Sequence, residues 1–223
     1  MSKKALSVSL SNLDKYFNAN PKTVKHPHMR TVKLSGPDDI FFTIPSFLAD
    51  RSTCETDPSI VQLLPYITIG VIDESLNINV SVYKRASKGG EQRLRDSSVG
   101  YGGHVEEEVT AEKNLLQVLT DCAVREVEEE TGIKLEDWQI KESLSYATIF
   151  HETSEESGGV GKYHLAITFN AMLKKIPTIV EEEGCIEDTR FMNINTVVEQ
   201  HRSGQIKLEP WSRVVAGILD HVK

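Results

Sequence analysis

Arg125-Glu126-Val127-Glu128-Glu129-Glu130-Thr131-Gly132-Ile133 is where this chain concentrates groups able to do chemistry. Four glutamates occupy positions 126 to 130, interrupted only by Val127, and Gly132 stands where a C′ glycine ends a helix. The macrodipole is already negative at that end, and like charges one turn apart repel. At about 100° per residue, Glu126, Glu129 and Glu130 share a third of the helix circumference, while Glu128 lies on the other side. The same stripe, followed backwards, holds Leu115, Leu116, Leu119, Cys122 and Ala123; Asn114, Gln117, Asp121, Arg125 and Glu128 make the polar side. A solvated acidic face would set its charges opposite the apolar stripe. Carboxylates that continue a core stripe need protons, basic partners or metal. An all-oxygen donor set suits a hard cation, with magnesium favoured and manganese admissible.

The elements needed to position such a helix are readable on either side. Upstream, Ser98-Val99-Gly100-Tyr101-Gly102-Gly103-His104-Val105-Glu106 is a short β-type run leading into glycines. Thr110 is the expected N-cap, with Glu112 early in the first turn. Strand, glycine turn and helix together would gather backbone carbonyls and glutamates around one spot.

These segments resemble the signature of the Nudix hydrolase family: Gly, five residues, Glu, seven residues, then Arg-Glu-apolar-any-Glu-Glu-any-Gly-apolar. Residues 125 to 133 fit the second half at every specified position. The first half departs, because fifteen residues separate Val109 from Arg125 where the signature has seven between glutamate and arginine. We therefore expect an N-terminal extension of the helix by about two turns, with Glu106 to Glu108 as candidates for the first glutamate. Leu64-Pro65-Tyr66, Tyr83-Lys84-Arg85, Lys88-Gly89-Gly90-Glu91-Gln92-Arg93-Leu94 and Gly100-Tyr101-Gly102-Gly103-His104 resemble a branch of predicted Nudix-type phosphoesterases, with Trp211-Ser212 a looser likeness near the end.

The resemblance implies hydrolysis of a diphosphate within a nucleoside diphosphate linked to another group, by water attack at phosphorus. By position it implies that Glu126, Glu129 and Glu130 hold metal, that Gly102 offers a carbonyl, and that Arg125 orients a glutamate, Glu129 being four residues on. A further glutamate is implied from the loop before the last helices, where Glu181-Glu182-Glu183-Gly184 lies; Glu183 is favoured. For an anionic substrate, Lys88, Arg93 and Arg95 supply positive charge ahead of the glycine turn, and His104 stands beside the glycines. Two other functions remain open: a Nudix-like module that senses a nucleotide without turnover, and an isoprenyl diphosphate isomerase-like enzyme, for which no cysteine is clearly placed.

Composition bounds the rest. A chain of 223 residues, 39% hydrophobic, can bury a full core. Its formal net charge of −8 and lack of a basic stripe argue against general nucleic-acid binding. Cys54, Cys122 and Cys185 have no zinc or disulfide spacing, which suits a reducing compartment. Neither a signal peptide nor a membrane span is visible, so the expectation is a cytoplasmic protein, compatible with a homodimer, acting on a small phosphoanhydride.

The coarse walk gives a polar extension over residues 1–36 and a catalytic domain over 37–223. Phe41 to Leu48 is an apolar patch broken by Pro45, read as an edge strand that docks the extension. Leu63–Val71 and Ile78–Lys84 read as a hairpin around Asp73-Glu74-Ser75, and Ser143–His151 with Tyr163–Leu173 as a second strand pair. Asn193 or Asn195 caps a short helix, and Pro210 to His221 forms the last one. Mixed strands and helices give an α+β class. The family resemblance adds an α/β/α sandwich with a mixed β-sheet and the acidic helix on one face.

Overall fold

The computed structural model describes residues 3–86, 96–136, 139, 142, 144, 147–154, 161–181 and 186–220. Lys88, Arg93, Arg95 and Glu183, named above as substrate or catalytic candidates, lie outside the described residues. The chain forms two compact units that interleave in sequence: Met1–Tyr66, Gly102–Ala123 and Lys141–Phe169 make the first, and Ile67–Tyr101, Val124–Ile140 and Asn170–Lys223 the second.

The first unit begins with β1 (Lys4–Ser9) and α1 (Leu10–Ala19). Residues 1–36 read as polar, yet Ala5, Leu6 and Val8 on β1 and Leu13, Tyr16 and Phe17 on α1 are buried. Ser7 hides the signal: it too is fully buried, and its hydroxyl donates to the Ala5 carbonyl. β1 pairs antiparallel with β4 (Ser46–Asp50) and with the start of β5 (Ile60–Ile72); of the edge strand expected over Phe41 to Leu48, only the part after Pro45 is strand, and Ile40–Thr43 forms a 3-10 turn instead. The hairpin of β2 (Val24–His26) and β3 (Met29–Lys33) pairs through β3 with β8 (Thr148–Glu152), and β8 with β9 (His164–Leu173). Arg30 ties these layers together. Its guanidinium reaches Asp14 on α1, packs over the Phe17 ring and donates to His151 Nδ1 at 2.9 Å. The other nitrogen of His151 donates to the Lys162 carbonyl, which fixes the neutral Nε2–H tautomer.

In the second unit β5 turns into β6 (Ile78–Arg85) through the expected hairpin. Asp73 closes it by accepting from the backbone N–H groups of Ser75 and Asn77. β6 also pairs with β7 (Ser97–Ser98) and β10 (Ile186–Asn193). These ladders are antiparallel; a parallel bridge joins Ser97 to Leu208, so the sheet is mixed. α4 (Ile194–Arg202) is capped by Asn193, whose side chain accepts from the Asn195 N–H, and α5 (Pro210–Asp220) follows. The class is α+β. Among the described residues no helix is long and apolar enough to cross a membrane.

Candidate functional site

The acidic run ends α3 (Leu115–Thr131), which starts four residues later than an N-cap at Thr110 predicts. Thr110 does cap, but it caps a turn: its hydroxyl accepts from the Glu112 and Lys113 N–H groups at 3.2 Å each. The helix is opened instead by Asn114 and Gln117. The Asn114 carboxamide accepts from the Gln117 N–H at 3.0 Å, and the Gln117 carboxamide accepts from the Asn114 N–H at 2.8 Å. That reciprocal pair satisfies two donors a helix start leaves orphaned. The extra residues ahead of Arg125 therefore lie in the loop before the helix, and the expected two-turn extension is corrected to a longer loop. In this register Gln117 stands eight residues before Arg125, the spacing the signature gives its first glutamate. Glu106, Glu107 and Glu108 are exposed in the loop, and Glu107 pairs with Lys113.

Along α3, Leu115, Leu119, Cys122 and Ala123 are buried and Leu116 half-buried; Asn114, Gln117, Asp121, Arg125 and Glu128 are exposed, as the wheel predicts. Val118 and Val127 are also fully buried and Thr131 is inaccessible, which rotates the buried stripe towards Val127. Glu126 and Glu130 consequently flank it, the Glu126 side chain being 14% exposed. Glu129 sits further out than the wheel predicts, at 54%. Arg125 bridges two of the carboxylates, with Nη2 at 2.6 Å from Glu126 Oε1 and Nη1 donating to Glu129 Oε2 at 2.8 Å. One guanidinium thus draws together two like charges that would otherwise repel.

Glu130 faces a different neighbour. Tyr101, fully buried, stacks on Tyr83 with ring centroids 4.7 Å apart and shares a 2.6 Å hydrogen bond with Ser81. Burial pushes its phenol well above the ordinary value, and the nearby carboxylates of Glu130 and Glu181 push in the same direction. Both acids are therefore in electrostatic reach of one hydroxyl. Glu181 comes from the acidic run in which Glu183 was favoured, and its carboxylate accepts from the Thr189 N–H at 2.7 Å. The segment is tied to the end of α3 where the Val180 N–H donates to the Thr131 carbonyl. From sequence alone, the choice within Glu181-Glu182-Glu183 had only charge to guide it.

The glycine turn belongs to the first unit. A Cβ at Gly102 would lie 2.3 Å from the Pro65 carbonyl oxygen, so backbone passes backbone there and only glycine fits. Three residues on, the Val105 carbonyl accepts from the Leu6 N–H at 2.7 Å, so β1 holds the exit of the turn. His104 sits edge-to-face with His164, centroids 5.7 Å apart, and Gln62 contacts His164 Nε2 at 3.0 Å. Burial depresses the His104 pKa to about 3, helped by the positive charges of Arg51, His164 and Lys3. A neutral ring of this kind offers a phosphate no cationic attraction.

Metal binding can be tested against the donors present. Glu126, Glu129 and Glu130 offer hard carboxylate oxygens at i, i+3 and i+4 on one turn, which fits a magnesium- or manganese-type ion in ligand chemistry. Among the described residues, no three acidic, histidine or cysteine side chains already converge in metal-holding geometry. Arg125 engages an oxygen of both Glu126 and Glu129, so an ion must share or displace that contact.

A family model described as the NUDIX domain matches residues 80–212, more than half of the chain. The chain belongs to the Nudix family. Among solved structures, the putative Nudix hydrolase Tm1382 is 21% identical, with 97% of each chain covered and a TM-score of 0.66. A bifunctional NMN adenylyltransferase/ADP ribose pyrophosphatase from Francisella tularensis, complexed with AMP and a manganese ion, is 14% identical over 71% of this chain and 41% of that one, with a TM-score of 0.50. At these identities the likenesses give the Nudix fold. Among curated proteins none matches.

Proposed function

We propose that this Nudix protein hydrolyses a diphosphate linkage in a nucleoside diphosphate joined to another group, with magnesium, or manganese in its place, held by Glu126, Glu129 and Glu130. The observation that carries the reading is the Arg125 bridge, which sets Glu126 and Glu129 side by side on one helical turn. Glu130, one position on, shares Tyr101 as a neighbour with Glu181. When bound, such an ion supplies charge neutralisation at phosphate and a water acidified towards neutral pH.

The protein's own side chains do the rest. Arg125 restrains the Glu129 carboxylate, which spares the ion the entropy of ordering it. Glu181 joins the three helical glutamates as a further acidic group for holding water or ion, with Glu183 from the same run as the alternative. Gly102, carried over by motif position, contributes a carbonyl. Lys88, Arg93 and Arg95 bind substrate phosphates, and bidentate arginine contacts suit phosphate oxygens. His104, neutral and packed on His164, serves the shape of the turn better than it serves a phosphate.

The test is a panel of nucleoside triphosphates, dinucleoside polyphosphates, nucleotide sugars and coenzymes, incubated with magnesium and with EDTA and scored by product identity. Magnesium-dependent release of a nucleoside monophosphate or phosphate is expected. Tight nucleotide binding without turnover of any member would convert the reading to a sensing module.

A further inference from the structure

Glu209 is 3% exposed and has no part in the function proposed above. It lies just before α5, and its carboxylate is heavily used. Oε1 accepts from the hydroxyls of Ser98 at 2.7 Å and Ser212 at 3.2 Å, and Oε2 is 3.6 Å from Arg85 Nε. Each hydroxyl has one proton, and a buried carboxylate is the strongest acceptor within reach. With those protons committed to Glu209, the hydroxyl lone pairs turn to the backbone. Ser212 Oγ accepts from the Val99 N–H at 3.0 Å, and Ser98 Oγ accepts from the Gly100 N–H at 3.3 Å. The Glu209 N–H donates to the Ser97 carbonyl, and the Ser97 N–H donates to that of Lys207. Tyr83 then donates its hydroxyl to the Gly100 carbonyl at 2.7 Å, and Tyr101 exchanges both backbone hydrogen bonds with Ile67.

Every residue from Ser97 to Tyr101 is therefore held, and the two hydroxyls that hold the Val99 and Gly100 N–H groups converge on one carboxylate. A buried ion this well paired is costly to retain for stability alone, since apolar packing would serve as well or better. What it adds is definition of position. The clamped segment ends at Tyr101, the buried ring that neighbours Glu130, and the next residue in the chain is Gly102.

We infer that Glu209 is a positioning residue for the ion site: through Ser98 and Ser212 it fixes the Ser98–Gly100 backbone, and so the path by which the chain enters the glycine turn at Gly102. This rests on the metal-dependent reading above. Outer groups that orient a metal site are worth about 10- to 100-fold in affinity.

Mn²⁺ binding, read from the free-ion electron paramagnetic resonance signal, tests it without reference to turnover. The proteins are wild type, Glu209→Gln, Ser212→Ala and Glu129→Gln, each checked for folding by circular dichroism and thermal melting. Folded Glu209→Gln and Ser212→Ala should each bind Mn²⁺ about 10-fold more weakly than wild type. If Glu209→Gln does not fold, Ser212→Ala decides, because it keeps the carboxylate and removes only one relay. A lowered melting temperature with wild-type Mn²⁺ affinity would make the clamp merely structural and overturn the inference while leaving the metal reading intact. A wild-type protein that retains no Mn²⁺, or a Glu129→Gln protein that binds it as wild type does, would overturn the metal reading itself.

Discussion

Glu129→Gln separates the two demands on the acidic turn. Its side chain is 54% exposed and its partner Arg125 46%. An i, i+4 ion pair that open to solvent is worth about 0.3–0.5 kcal/mol. Against that loss stands relief of repulsion among Glu126, Glu129 and Glu130 in the metal-free protein, of similar size per pair. Glutamine keeps the shape and can still accept from Arg125. The two effects nearly cancel, so metal-free stability should stay within about 0.5 kcal/mol of wild type. Turnover should not survive, because a neutral amide is a poor ligand for a hard divalent ion; a loss of about 100-fold or more is expected at fixed magnesium. Urea unfolding in EDTA reads the first quantity and a magnesium titration of product release the second. Near wild-type rates at saturating magnesium would refute the assignment of Glu129 to the ion. A destabilisation above about 2 kcal/mol would refute the solvent-screened account of its pairing with Arg125.

Gly102→Ala should destabilise by about 1–3 kcal/mol, since its Cβ meets the Pro65 carbonyl oxygen at 2.3 Å and backbone must move to admit it; an unchanged urea midpoint would show that the turn has slack. Asn114→Ala removes half of the reciprocal cap of α3 and should cost about 1 kcal/mol, read from the same midpoint. Acid should destabilise the fold through His104. Its folded pKa, about 3, lies below its ordinary value, so the unfolded chain takes up the proton first and stability falls as pH drops from about 6.5 towards 3, being fully present above that window. His104→Asn should flatten the unfolding free energy over that window, although His151, shifted in the same direction mainly by burial, keeps part of the slope.

Much of this arrangement is legible in the sequence because periodicity reports burial. The hairpin at Asp73, the Asn193 cap and the exposed side of α3 all follow from side-chain pattern and turn chemistry. What escaped did so for identifiable reasons. The α3 start was misplaced because Thr110 and Asn114 are both good caps, and only the reciprocal bond with Gln117 decides between them. β1 was hidden because Ser7 interrupts its apolar run, yet a serine that bonds its own strand's backbone can be fully buried. Trp211-Ser212 drew notice, but the Glu209 carboxylate beside it carries no periodic signal and is defined by Ser98, 111 residues away, while Ser212 itself reaches Val99, 113 residues away.

The same logic explains why like charges can gather at the wrong end of a helix. Every carboxylate at the end of α3 opposes the macrodipole, so the turn tolerates them only with compensation close by. Arg125 compensates Glu126 and Glu129 from within the helix, and Lys134 compensates Glu128 at 3.3 Å just beyond its end. Glu130 lies in electrostatic reach of Tyr101, a phenol which burial and the acids themselves keep protonated.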